Sequence, residues 1–117
     1  MKHIIAIIRN EKYQETKAAL DENHFSAFNT KQIVGRGRER VNFQAQDSEK
    51  SYVHSDVLLM AKRMIEIFAR DEDVDPIIKV ILDVSKTGSH GDGKIFVLPA
   101  DDCIRIHTKE TGNNALI

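Results

Sequence analysis

Thr87-Gly88-Ser89-His90-Gly91-Asp92-Gly93-Lys94-Ile95-Phe96-Val97 puts three glycines and a lysine directly before an apolar run that reads as a strand. Upstream, Val74, Ile77, Ile78, Ile81 and Leu82 fall at i, i+3, i+4, i+7 and i+8, the stripe of an amphipathic helix. Asp71, Glu72, Asp73 and Asp75 crowd its N-terminal end, where the helix dipole favours negative charge, and Pro76 is tolerated in a first turn. The unit is therefore helix, glycine loop, strand. Glycine admits positive φ and lets backbone N–H groups approach a ligand, and Lys94 adds a mobile point charge, so the loop suits phosphate. It is not a Walker loop, which would run from Gly-x-x-x-x-Gly-Lys-[Ser/Thr] into a helix. Read alone, Gly91-Asp92-Gly93 suits an ordinary tight connection equally well, and the surrounding chain has to decide.

Downstream, Pro99-Ala100-Asp101-Asp102 has turn chemistry, and Cys103 to Thr108 alternates, so the strand is expected to return as a hairpin. In the returning arm Arg105 and His107 would share one face, ~6.8 Å apart, about the spacing of adjacent phosphates. Upstream, Ile4-Ile5-Ala6-Ile7-Ile8 reads as a central strand. Glu11 to Asn23 reads as a helix carrying Tyr13, Thr16, Ala19 and Leu20 at helical spacing, with Asn10 as its N-cap. Phe25 to Val34 reads as a second strand ending at Gly35-Arg36-Gly37-Arg38, and Leu58 to Ala69 as a long third strand. Arg36, Arg38 and Arg40 alternate into an aperiodic polar stretch from Glu39 to Val57, expected to be a long exposed functional loop. The order β-α-β, loop, β-α-β predicts an α+β fold, the ferredoxin-like split βαβ (βαββαβ) with a C-terminal hairpin and both helices on one face. The other face of such a sheet needs a cover, which oligomerisation supplies.

A length of 117 residues fits one domain able to bury a core without metals or disulfides. A net charge of −1 offers no broad basic footprint for nucleic acid, and no apolar run approaches the ~20 residues that span a bilayer. The single cysteine, Cys103, allows no internal disulfide and reads as a packed thiol, and Met1-Lys2-His3 leads straight into strand sequence, so a soluble cytoplasmic protein is expected. No catalytic constellation emerges. Asp101 and Asp102 are adjacent, which suits a turn better than an acid-base pair. His3, His24, His54, His90 and His107 lack zinc spacing, although His90 lies inside the glycine loop.

Taken together, Ala6-Ile7-Ile8-Arg9, Gly35-x-Gly37-Arg38, Lys62-x-x-Ile65-Glu66-Ile67, Thr87-x-x-x-Gly91-Asp92-Gly93-Lys94-Ile95-Phe96-Val97, Ile104-Arg105-Ile106 and Ala115-Leu116-Ile117 resemble the PII signal-transduction family over nearly the whole chain. The resemblance implies a trimer of identical chains, or one mixed with a paralogue, with nucleotide sites in the clefts between subunits. It also implies a target-binding T-loop over about 37–58, a glycine-rich B-loop over about 86–94, and sensing of ATP, ADP and 2-oxoglutarate. Carried over by position, nucleotide contact falls to Ile7, Asn29, Gly35, Gly37, Arg38, Glu66, Gly91, Asp92, Gly93, Lys94, Arg105 and His107, with Arg105 reaching in from the neighbouring subunit. Lys62 and Glu39 take the 2-oxoglutarate site, Glu39 also being the candidate Mg²⁺ ligand.

Three positions depart from the family pattern. His107 stands in place of a second arginine, which weakens the phosphate contact or makes it pH-dependent. Asn29 stands in place of a threonine near adenine. Glu39 stands in place of a glutamine, and its carboxylate would repel a dicarboxylate unless Mg²⁺ intervenes. Tyr52 lies in the loop outside the family's usual modified-tyrosine context. The long, divergent loop is similar to that of the NifI-type branch, which implies dinitrogenase as the target; the rivals are an ammonium transporter, with Arg40 as the plugging residue, or glutamine synthetase. A nucleotide-hydrolysing enzyme ranks lower.

Overall fold

The structure is a computed structural model and describes residues 1–37 and 59–116. Strand β1, Lys2–Arg9, shows why its sequence is apolar on both sides. Ile4, Ala6 and Ile8 are buried on one face, while His3, Ile5 and Ile7 on the other are half-buried. Each fully buried isoleucine contributes roughly 1.5–3 kcal/mol. β1 lies between β3, Met60–Ala69, and β4, Gly93–Pro99, and β3 also pairs β2, Asn29–Gly35, giving the order β2-β3-β1-β4 with every pairing antiparallel. Helices α1, Tyr13–Glu22, and α2, Val74–Ser85, complete the split βαβ arrangement that the element order predicts.

Both helices cover one face. Tyr13 and Leu20 of α1 and Val74, Ile77 and Ile81 of α2 join Ile4, Ala6, Ile8, Ile65, Ile67 and Ala69 in a single core. Thr16 Oγ1 donates to Lys12 O at 2.7 Å, which spends its one hydrogen, so Ser85 Oγ, 3.0 Å away, donates to it and ties the two helices by a buried hydroxyl pair. The α2 stripe is buried at Val74, Ile77 and Ile81, whereas Leu82 at its edge is half exposed beside β4.

Several expected details differ. Asn10 is not an N-cap: it begins a 3₁₀ turn, Asn10–Lys12, and no side-chain cap bond forms at either helix start there. The second strand starts at Asn29 rather than Phe25, because the Phe25 N–H closes α1 by donating to Leu20 O at 2.8 Å, and Phe25 and Phe28 pack against the core from outside the ladder. β3 starts at Met60. Cys103 to Thr108 does not return along β4. It folds on itself, with Ile104 bridging Thr111, so the antiparallel element at the C-terminus is this one short bridge. The turn expected over Pro99-Ala100-Asp101-Asp102 is not formed there; instead Asp102 Oδ1 accepts from Cys103 N at 2.8 Å and Gly112 N at 3.0 Å and ties the chain after β4 to the segment near Gly112, with the turn at 106–108.

Strand alternation leaves His3, Ile5, Ile7, Met64, Glu66, Phe68, Phe96 and Leu98 on the face away from the helices. Phe68, Phe96 and Leu98 on that face are 46%, 47% and 41% exposed.

Candidate nucleotide-binding site

The register gathers the sequence signals at one end of the sheet. Arg9 pairs Lys62, Ile33 also pairs Lys62, Gly35 pairs Met60, Ile8 pairs Gly93 and Ile7 pairs Lys94. The C-terminal ends of β1 and β2 therefore meet the N-terminal ends of β3 and β4, and residues 86–92 between α2 and β4 arch over that junction. Ile7, Asn29, Glu66 and Lys94 share the helix-free face a few residues further in, Asn29 opposite Glu66 and Lys94 opposite Ile7. Gly37 follows β2 at the same end and is exposed.

The loop is built around Asp92. Its Oδ1 accepts from Arg9 Nε at 2.9 Å and from the Thr87 hydroxyl, and its Oδ2 accepts from Thr87 N at 2.7 Å and Gly88 N at 3.1 Å. The Thr87 hydroxyl first, then the Arg9 guanidinium and the two amides, hold the Asp92 carboxyl well below the usual carboxylate range. Arg9 Nη2 also donates to His90 O at 2.7 Å, and Lys62 Nζ donates to Gly91 O. Glycine is required where the loop enters β4: Gly93 has φ +111°, and a Cβ there would lie 1.7 Å from Ile7 O. Gly91 has φ +92° and space for a Cβ, so its requirement is conformational alone.

Other candidate residues lie apart. Glu66 Oε1 is held by His3 Nε2 at 2.9 Å, and His3 stacks on Phe68 with centroids 4.3 Å apart. Arg105 and His107 follow the far end of β4, ~20 Å along the strand from Gly93. Arg105 is tied locally: Nη1 donates to Glu110 Oε2 at 2.7 Å and Nη2 to Asn114 O at 3.1 Å. His107 is exposed in a turn, so the two do not share a strand face. Arg38, Glu39, Arg40 and Tyr52, and most of the expected T-loop, lie outside the described residues.

Arg9 and Thr87 are the site residues whose roles the sequence alone does not give. Arg9 ends β1 and Asp92 lies 83 positions later, a separation at which no local pattern links them. The threonine five positions before an aspartate in a glycine-rich loop is a weak signal for the local half of the knot.

This arrangement offers backbone donors in a glycine loop, one exposed lysine, and a second lysine with two further N–H donors, on a mixed polar and apolar sheet face. It is suited to an anionic ligand with a flat apolar part. The chain matches the family model described as nitrogen regulatory protein P-II over residues 1–110. It is 40% identical over 122 residues to nitrogen fixation nifHD region GlnB-like protein 2 of Methanobacterium ivanovii, covering 100% of both chains. It is 39% identical over 119 residues to nitrogen regulatory protein P-II 2 of Methanothermobacter thermautotrophicus, covering 99% of this chain and 97% of that one. Among solved structures it resembles Arabidopsis thaliana PII bound to citrate, with TM-score 0.76 and 29% identity over 98% of this chain and 88% of the other.

Proposed function

The chain belongs to the nitrogen regulatory protein P-II family, and from that premise we propose that it is a signalling protein that binds ATP or ADP at the glycine loop and controls a nitrogenase component. The observation that carries the ligand reading is the Asp92-centred loop at the sheet end shared by Gly35, Lys62 and Lys94. The phosphates lie on the loop amides and Lys94, and the base lies against Ile7, with Asn29 and Glu66 at its edge.

The far position of Arg105 supports a site shared between subunits, in which Arg105 and His107 of one subunit serve the loop of another. The part-exposed Phe68, Phe96 and Leu98 face, together with the edges of β2 and β4, which pair no further strand among the described residues, supports the trimer that such sharing needs. For 2-oxoglutarate, the two spare donors of Lys62 supply a carboxylate partner, and the citrate bound by the Arabidopsis relative is a polycarboxylate. Mg²⁺, when bound, offsets negative charge between phosphates and carboxylates; Glu39 is its candidate ligand. The T-loop meets the target, and ligands alter that contact only through different affinities for its conformations. No helix among the described residues is long and apolar enough to cross a membrane; membership of the family is what supports reading the protein as a cytoplasmic regulator rather than an enzyme.

The nitrogenase target rests on the relatives named for the nifHD region. Calorimetric titration of ATP, then of 2-oxoglutarate into the Mg-ATP complex, tests the ligands: binding in both steps is expected. ATP binding alone would leave an energy sensor with an altered site at Glu39, and no ATP binding would overturn the ligand reading. Co-purification of the protein with dinitrogenase, abolished by 2-oxoglutarate and Mg-ATP, is the expected target result; equal retention in all conditions counts against control through the loop.

A further inference from the structure

Arg9 is more committed than a ligand-binding arginine. Its Nε donates to Asp92 Oδ1 at 2.9 Å, its Nη2 to His90 O at 2.7 Å, and its Nη1 lies 3.8 Å from Glu11 Oε1. Its side chain and that of Asp92 are only 23% and 22% exposed. Three sides of the guanidinium therefore face protein acceptors, and what it grips is the loop itself.

The consequence follows from peptide geometry. In a trans peptide unit the C=O and N–H point in opposite directions. Arg9 draws the His90 carbonyl inward, so the N–H of Gly91, which belongs to the same peptide unit, turns outward, while the Asp92 N–H closes the turn over His90 and Gly91. Asp92 meanwhile consumes the Thr87 and Gly88 amides internally. The loop thus sorts its donors into a set spent on holding its shape and one, the Gly91 amide, presented to a phosphate-class anion.

We propose that Arg9 is a positioning residue for nucleotide: it locks Asp92 and the His90 carbonyl together and so aims the Gly91 amide, without itself touching the ligand. This rests on the nucleotide reading given above. It differs from a direct contact in what must change together. Removing Arg9 frees Asp92, Asp92 releases the Thr87 and Gly88 amides, and the Gly91 amide loses its orientation.

The test pairs ATP calorimetry with amide exchange in ligand-free protein, on the full chain and its Arg9→Ala, Arg9→Lys, Asp92→Asn and Arg9→Ala/Asp92→Asn variants. Arg9→Ala and Asp92→Asn are each expected to weaken ATP binding by roughly tenfold or more, with the double variant no worse than the weaker single. Exchange at Thr87 and Gly88 is expected to quicken in Arg9→Ala while amides of the β1–β3 ladder stay protected. Arg9→Lys, which reaches Asp92 but cannot fork to His90 O, should fall between. Weakened ATP binding with unchanged Thr87 and Gly88 exchange would make Arg9 a direct ligand and overturn the proposal, as would additive losses in the double variant or unaltered affinity in Arg9→Ala. If the parent protein binds no ATP, the nucleotide reading fails, and the exchange comparison still decides whether Arg9 sets the loop.

Discussion

The two ends of the sheet are built by different means. At the glycine-loop end the local bonds of Thr87 and Gly88 to Asp92 are joined by long-range holding contacts: Arg9 to Asp92, Lys62 to Gly91 and the close approach of Gly93 to Ile7 O. At the C-terminal end they are local: Arg105 to Glu110 and Asn114, Asp102 to Gly112, and Ile104 to Thr111. The first end cannot form until the sheet has formed, so its shape reports the state of the whole fold. The second closes over about ten residues at little loop-entropy cost and is free to serve a neighbouring molecule.

The sharpest way to break this contrast is Gly93→Ala. A Cβ 1.7 Å from a backbone oxygen forces β4 to shift, and φ +111° is strained for any L side chain, so destabilisation of about 3 kcal/mol or more is expected in urea denaturation. A loss below about 1 kcal/mol would mean that β4 relaxes freely and that the loop end is not over-determined.

Acid should separate the ends next. The Asp92 carboxyl is held low in the folded protein, so its contribution is fully present above the unfolded value of about 3.9 and is lost as pH falls through the folded value. The Thr87 and Gly88 amide resonances are therefore expected to stay constant from pH 8 to about 5 and to move only in strong acid. In Asp92→Asn they should lose that acid limb altogether. Movement near neutral pH would show that another group governs the loop.

At the other end, Glu110→Gln removes a largely exposed ion pair and is expected to cost less than about 1 kcal/mol in thermal unfolding, diminishing with salt. Ile106→Ser, at a side chain 95% exposed, should change the stability of the single chain by no more than about 0.5 kcal/mol. A larger loss in a concentration-dependent melt would place Ile106 between chains.

What could be read in the sequence follows the same division. β1, α2 and the passage from glycine loop to β4 are written in neighbouring residues, as alternation or a 3.6-residue stripe, and they stand within a residue or two of where the pattern puts them. Errors arose where a local pattern had two uses. Phe25 to Phe28 is apolar because it closes α1 against the core, which the β-propensity of phenylalanine disguises as a strand. Ile104-Arg105-Ile106-His107 alternates like a strand, yet Arg105 finds its partner at Glu110 and the chain turns instead. Asn10 resembles a cap, but the chain has already entered a 3₁₀ turn. Within the site, the glycines and Lys94 are legible as loop chemistry, whereas the partnership of Arg9 with Asp92 is a product of strand register and exists only once β1 and β4 are side by side.

Gly93 also fixes the phase of the edge strand. A slip of β4 by one residue in either direction would bring Asp92 or Lys94, and a two-residue slip one way would bring Ile95, to the spot over Ile7 O where no Cβ fits. A two-residue slip the other way would bring Gly91, but it would carry Asp92 away from Arg9. Edge strands usually owe their alignment to side chains packing beneath them; this one is indexed by an atom that is missing, and the alignment it enforces is the one that keeps Lys94 opposite Ile7 on the helix-free face.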